Sequence, residues 1–156
     1  MKENICCFIG HRTIKETEEL KSKLREIIEK LIVEKQVDTF LFGSKSRFNS
    51  LCLELVTVMK EKYPHIKRVY VRAEYRYINQ QFKNYLFENY EDTYYPEKII
   101  NSGKAIYIER NCEMIDHSQY CIFYYNKATI PTTRKSGTEI ALNYAIKQHK
   151  TIIRVS

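Results

Sequence analysis

The sequence predicts an α/β fold built on a mainly parallel sheet. Three observations carry that expectation. Short apolar runs at residues 5–9, 39–42, 67–73 and 120–125 alternate with longer segments of helical period. Glycine turns, Gly10-His11-Arg12 and Gly43-Ser44-Lys45-Ser46-Arg47, stand between the first two runs and the helical segments after them. Strands that alternate with helices favour a parallel sheet covered on both faces.

Residues 5–9 form an apolar run that reads as a buried central strand. Residues 15–34 place Leu20, Leu24, Ile27, Ile28, Leu31 and Ile32 at helical spacing, the mark of an amphipathic helix. Strand, glycine turn and helix together open a Rossmann-like unit. Residues 39–42 and the helical series Phe48, Leu51, Cys52, Leu55, Val56 and Met59 repeat it, with Ser44 or Ser46 as cap and Pro64 ending the helix region. Val69, Tyr70 and Val71 make a third strand. The tyrosine-rich stretch 76–95 predicts a helix over 79–87 and then a loop, either a lid or an irregular packed segment. Residues 96–102 read as one helical turn, 104–109 as a fourth strand, and 110–118 as a short helix. Strand 120–125, a polar loop 126–135 containing Pro131, helix 138–149 and a last strand 151–155 complete a single Rossmann-like three-layer domain over 1–156.

Composition bounds the function. The 156 residues suffice for one domain with a sizeable core, and no apolar run reaches the length of a membrane span. The first residues lack a signal-peptide layout, which places the protein in the cytoplasm. Five cysteines occur without a CxxC pair, and four sit in apolar runs, so reduced, buried thiols are expected and no metal site. Cys112, near Arg110, is the one thiol with a catalytic reading. A net charge of +7 suits an anionic partner, and thirteen tyrosines offer stacking faces as well as ordinary packing.

In parallel α/β sheets ligands sit beyond the carboxyl ends of the strands. The junctions at Gly10, Gly43, Arg72, Arg110 and Gly137 are therefore expected to gather on one edge. Arg134-Lys135-Ser136-Gly137-Thr138 reads as a loop breaking into a helix, with Ser136 or Thr138 as cap, and such a helix start attracts phosphate. His11 and Arg12 then contact phosphate or ribose, unless they are solvent-facing turn residues. Gly43 and Ser44 offer close backbone approach, with Lys45 and Arg47 as a basic rim. Arg72 and Glu74 end a strand, as a site or as an ion pair. Glu109 ends the predicted fourth strand and Arg110 and Asn111 follow it; an acidic residue at a strand end can hold a ribose hydroxyl, and Arg110 can instead pair with Asp116. Tyr125 and Asn126, at the end of the fifth strand, are placed for a base to stack.

These residues resemble the SLOG superfamily, most closely its YpsA-like group, related to the LOG and DprA/Smf proteins. The resemblance rests on Phe8-Ile9-Gly10-His11-Arg12, Phe42-Gly43, Glu109-Arg110-Asn111 with Met114-Ile115-Asp116-His117-Ser118, Ser136-Gly137-Thr138 and Tyr144-Ala145, and spans nearly the whole chain. It implies a Rossmann-like fold whose strand-end glycines and Gly-Thr loop line a pocket for nucleotides or nucleotide-derived ligands. It also implies a homo-oligomer, since related pockets are often completed by a neighbouring subunit. LOG enzymes that cleave nucleoside monophosphates carry Pro-Gly-Gly-x-Gly-Thr-x-x-Glu. Here the double glycine is missing and Ala141 stands at the glutamate's place.

The leading expectation is a protein that binds a nucleotide or an ADP-ribose-like signalling nucleotide, as sensor or sink, with no cofactor and no metal. Glycosidic cleavage needs a carboxylate, for which Glu109 and Glu139 are the catalytic candidates, with Glu74 also near the edge. No Walker loop, GxSxG elbow or HExxH is present. A single-stranded nucleic-acid binder ranks third, because the basic residues are spread along the chain.

Overall fold

The computed structural model describes residues 2–101, 103–126 and 136–156. Eleven elements of regular structure alternate along the described residues: β1 (Ile5–Gly10), α1 (Glu18–Glu34), β2 (Thr39–Phe42), α2 (Arg47–Lys62), β3 (Lys67–Val71), α3 (Gln80–Phe87), β4 (Asp92–Tyr94), α4 (Ala105–Asp116), β5 (Tyr120–Tyr124), α5 (Gly137–Lys147) and β6 (Thr151–Arg154). The six strands make one parallel sheet in the order β4-β3-β2-β1-β5-β6. This is an α/β three-layer, Rossmann-like arrangement.

The strands read as apolar runs because both faces of the sheet are covered. Alternate residues of one strand enter opposite cores. Cys6 and Phe8 join Phe40, Phe42, Ile122 and Tyr124 under α1 and α2, which supply Leu24, Ile28, Phe48, Leu51 and Cys52. Cys7 and Ile9 join Leu41, Val69, Val71, Cys121 and Phe123 under α4 and α5, which supply Met114, Ile115, Ala141, Leu142 and Ala145. Phe8 stacks on Phe40 and Phe42, with ring centroids 5.9 and 5.1 Å apart.

Chain order runs outward from β1 to β4, then crosses back to set β5 on the other side of β1. The sheet's switch point therefore lies between β1 and β5, where crevices open in folds of this kind. Helix starts are set locally: the Thr17 side chain accepts from Leu20 N at 3.0 Å, Ser46 from Asn49 N at 3.1 Å, and Asn79 from Phe82 N at 2.8 Å.

Two expectations are corrected. Residues 104–109 are not a strand but the beginning of α4. Ile106-Tyr107-Ile108 has strand-like composition, yet Tyr107 and Ile108 are exposed, and the helix is fixed by its later turns, where Arg110, Glu113, Met114 and Ile115 are buried. The fourth strand is instead Asp92–Tyr94, inside the segment read as loop. It is three residues long, lies on the sheet edge and pairs by backbone with Val69–Val71, so no apolar run announces it. Residues 96–99 form a turn closed by Ile99 N to Pro96 O at 3.4 Å. Arg134, Lys135 and the rest of the 127–135 loop lie outside the described residues.

Four cysteines are buried and Cys112 is half-buried, all as free thiols. Burial, with Asp116 and Glu109 nearby, pushes the Cys112 thiol up, the reverse of what a nucleophilic thiolate requires.

Candidate functional site

A cavity of about 760 Å³ opens at the carboxyl end of the sheet. Its walls come from strand-end junctions and from the helices that pack over them. Gly10, His11 and Arg12 follow β1; Gly43, Ser44, Lys45 and Ser46 follow β2; Arg72, Ala73, Glu74 and Tyr75 follow β3. Tyr107, Arg110, Asn111 and Met114 come from α4, Phe82 from α3, and Ser136, Gly137 and Thr138 from the start of α5. Arg12, Ser44 and Thr138, far apart in sequence, thus share one hollow.

The two strand-end glycines are required by the protein's own packing. A Cβ on Gly10 would stand 2.4 Å from the Phe48 ring, and Phe48 is fully buried. A Cβ on Gly43 would stand 2.6 Å from both Arg110 Cδ and Met114 Sδ. Both bare backbones let a helix close onto a strand end: α2 onto β1, and α4 onto β2. Asn49 ties the two corners together. Its amide donates to Phe8 O at 3.1 Å and accepts from Gly43 N at 3.2 Å, and the residue is buried. An asparagine within a helical period gives no sequence signal of that role.

The helix starts differ in what they offer. At α2 the Arg47 N–H is used by Arg12 O at 2.8 Å and the Asn49 N–H by Ser46 Oγ. Ser44 Oγ donates to Ser46 Oγ at 2.7 Å, bracing that cap. At α5 the Ser136 hydroxyl caps Glu139 N at 3.1 Å, while Gly137 N and Thr138 N have no acceptor among the described residues. Among the described residues, two successive first-turn amides are thus left without an acceptor at α5, against Phe48 N alone at α2.

Arg110 is the central side chain. It is 4% exposed, lies over the Tyr107 ring at 5.7 Å, and donates to Gly43 O and, at 3.1 Å, to Asn111 Oδ1. No carboxylate pairs with it among the described residues. Burial lowers its pKa, opposed by Tyr70, Tyr107 and Glu74. Buried Arg68 shows the usual remedy, a two-pronged bond to Glu91 at 3.0 and 2.6 Å. Arg72 brings an unsatisfied donor: its Nη1 reaches Tyr75 O at 3.0 Å, but its buried Nε has no partner.

His11 is buried, its ring 5.5 Å from that of Tyr125, and its Nε2 accepts from Asn126 N at 2.8 Å. A backbone N–H can only donate, so that nitrogen carries no proton. Burial pushes the ring's pKa below its usual 6.5. The folded state then binds this proton less readily than the unfolded chain, so the contribution to stability is complete above about pH 6.5 and declines as pH falls through the lowered value. Urea unfolding at about pH 7.5 and about pH 5.5 checks this. His11→Gln, which keeps an acceptor, is expected to lose less stability between the two; an equal loss refutes the assignment.

The remaining expected site residues lie elsewhere. Tyr125 and Asn126 are not on the cavity wall. Tyr125 is buried and donates its hydroxyl to Glu139, and Asn126 supports His11. Glu109 is on a helix, not at a strand end, and accepts from Ile100 N at 3.2 Å and from the Asn101 side chain. Asp116 accepts from the Tyr144 hydroxyl at 2.7 Å and does not pair with Arg110. His117 contacts Glu113 at 2.8 Å. Among the described lining residues the sole carboxylate is Glu74. No group of described residues is placed to hold a metal ion.

Sequence reading missed Tyr107 and Met114 as wall residues, together with Tyr70, Tyr75 and Phe82. One signal was present. Residues 107, 110, 111 and 114 stand at i, i+3, i+4 and i+7, one face of a helix.

The model of the YspA SLOG family matches residues 6–156. The chain belongs to that family. No curated protein is significantly similar to this YspA SLOG family member. Two solved structures share its fold. The DNA processing protein A (DprA) of Streptococcus pneumoniae superposes with a TM-score of 0.60 at 12% identity, over 98% of this chain and 50% of that one. The DprA of Helicobacter pylori, described for its single-stranded DNA binding mode, gives 0.63 at 16% identity, over 98% and 65%. The chain thus spans about half to two thirds of those proteins. Among its described residues, no helix is long and apolar enough to cross a membrane.

Proposed function

We propose that this SLOG-family protein binds a nucleotide, or an ADP-ribose-like signalling nucleotide, in the cavity at the strand ends, as a sensor or a sequestering protein. The observation that carries the reading is Arg110, a buried guanidinium on the wall with no carboxylate within ion-pair distance among the described residues. A buried charge of this kind costs free energy unless something compensates it. A phosphate does so, helped by Arg12, the Arg72 Nε and the α5 amides. Tyr75, Phe82 and Tyr107 offer ring faces for a base.

Binding without turnover fits the placement of the carboxylates. Glu109 and Glu139 are engaged away from the cavity, and Glu74 has no second carboxylate on the wall. A cytoplasmic location suits such a ligand. The exposed Tyr75 on the cavity wall, and the exposed Tyr85 stacked on the wall residue Phe82, suit a homo-oligomer in which another copy covers the rim.

Calorimetry against AMP, ADP, ADP-ribose and a cyclic ADP-ribose derivative tests the reading, with saturable one-site binding expected. Folded protein that binds none of them overturns it. The Helicobacter pylori relative makes single-stranded DNA the competing ligand. For that ligand, affinity drops steeply with salt, by a log–log slope of about −0.7 per phosphate contacted, whereas a mononucleotide gives a shallow slope.

A further inference from the structure

We infer that Glu74 reads the ribose hydroxyls of the bound nucleotide, so that the cavity prefers ribonucleotides to their deoxy counterparts. This rests on the nucleotide reading above and names what one wall of the site recognises. The wall is otherwise cationic, with Arg12, Lys45, Arg72 and Arg110. A carboxylate among them repels the phosphate and so faces a neutral part of the ligand. Being an acceptor only, it calls for a donor there. One Glu74 oxygen already accepts from the Tyr107 hydroxyl at 2.7 Å. No Lys or Arg among the described residues lies within ion-pair distance of Glu74, although Arg72 and Arg76 flank it in sequence. Its remaining acceptor capacity is therefore not spent on a neighbouring cation.

Position supports a sugar. The Tyr107 ring, whose hydroxyl holds Glu74, has its centroid 5.7 Å from the Arg110 guanidinium. The Glu74–Tyr107 pair is thus offset from the guanidinium by a length comparable with that of a pentose, from its 5′-phosphate to its hydroxyls. With phosphate at Arg110, the 2′ and 3′ hydroxyls come to Glu74. Arg72, on the same strand-end segment, also lines the cavity and is a further polar side chain there. An exocyclic amine on the base is the other neutral donor with this chemistry, and the test separates the two.

AMP, 2′-deoxy-AMP and IMP are titrated into wild type, Glu74→Ala, Glu74→Gln and Arg110→Met, with thermal melts confirming that each variant folds. Wild type is expected to bind AMP at least about tenfold tighter than 2′-deoxy-AMP, and to bind IMP like AMP. Glu74→Ala brings the ribo/deoxy ratio close to one, chiefly by weakening AMP. Glu74→Gln, which keeps one acceptor, falls between. Arg110→Met weakens both ligands and preserves whatever ratio is measurable. A wild-type ratio near one, or a ratio unmoved by Glu74→Ala, overturns the inference while leaving nucleotide binding intact. Loss of AMP-over-IMP preference in Glu74→Ala, with an unmoved deoxy ratio, assigns the carboxylate to the amine and also overturns it. Absence of AMP binding to wild type overturns it as well, and absence of binding across the whole nucleotide panel overturns the nucleotide reading too.

Discussion

Arg110→Met lowers nucleotide affinity about a hundredfold or more while leaving the fold no less stable than before, to within about 1 kcal/mol. Hydrogen bonds to a charged group contribute about 1.5–3 kcal/mol each, and a hundredfold loss corresponds to about 2.7 kcal/mol, so one or two lost phosphate contacts suffice. The stability half of the result has a different origin. A guanidinium without a carboxylate is costly to bury, and an apolar side chain of similar length removes that cost. Against it stands the Gly43 carbonyl, which loses a donor at about 1 kcal/mol. Calorimetry and urea unfolding on one preparation read both halves. Marked destabilisation with unchanged affinity would show that Arg110 serves the fold alone.

Gly10→Ala gives the opposite pattern: a loss of about 3 kcal/mol of stability, or a melting temperature lower by about 6–12 °C. The added methyl meets ring atoms and the Cβ of Phe48 within 2.8 Å, and none of those is the free end of a flexible chain. Phe48, in the first turn of α2, is fully buried against β1 and touches Tyr124, with ring centroids 5.7 Å apart. The helix must therefore shift, and with it the Ser46 cap and Asn49. Thermal unfolding checks the magnitude. Phe48→Leu in the same chain is expected to recover part of the loss, since it removes the atoms that clash. A Gly10→Ala protein that melts with wild type would sink the packing account.

Strands buried on both faces were legible because burial demands unbroken apolar runs; Cys6 to Ile9 and Cys121 to Tyr124 are such runs. β4 was not, since an edge strand of Asp, Thr and Tyr pairs through its backbone. The start of α4 was hidden by Ile106-Tyr107-Ile108, where local composition suggests one structure and packing of the next two turns imposes another. That misreading explains the one given to Glu109. On a helix, successive residues point about 100° apart, so Arg110 faces the cavity and its predecessor does not. Gly10 and Gly43 were legible as special positions, but not the reason, because Phe48, Arg110 and Met114 fill the space that a sequence leaves unassigned. Asn49 was invisible for the same cause: its partners, Phe8 O and Gly43 N, are backbone atoms of other strands.

The strand order has a thermodynamic corollary. The strands before residue 95 build one flank of the sheet, β5 and β6 the other, and β1 beside β5 is the seam. Gly10, Gly43 and Arg72 end strands of the first flank; Thr138 comes with the second on α5, while Arg110 reaches the first from α4, which follows residue 104 in the chain and packs back onto β2. A molecule held by both acts as a clasp across that seam, and at a hundred times its dissociation constant it stabilises the folded form by about 2.7 kcal/mol. Occupancy should therefore be reported by slower amide exchange along β1 and β5, well away from the bound molecule itself.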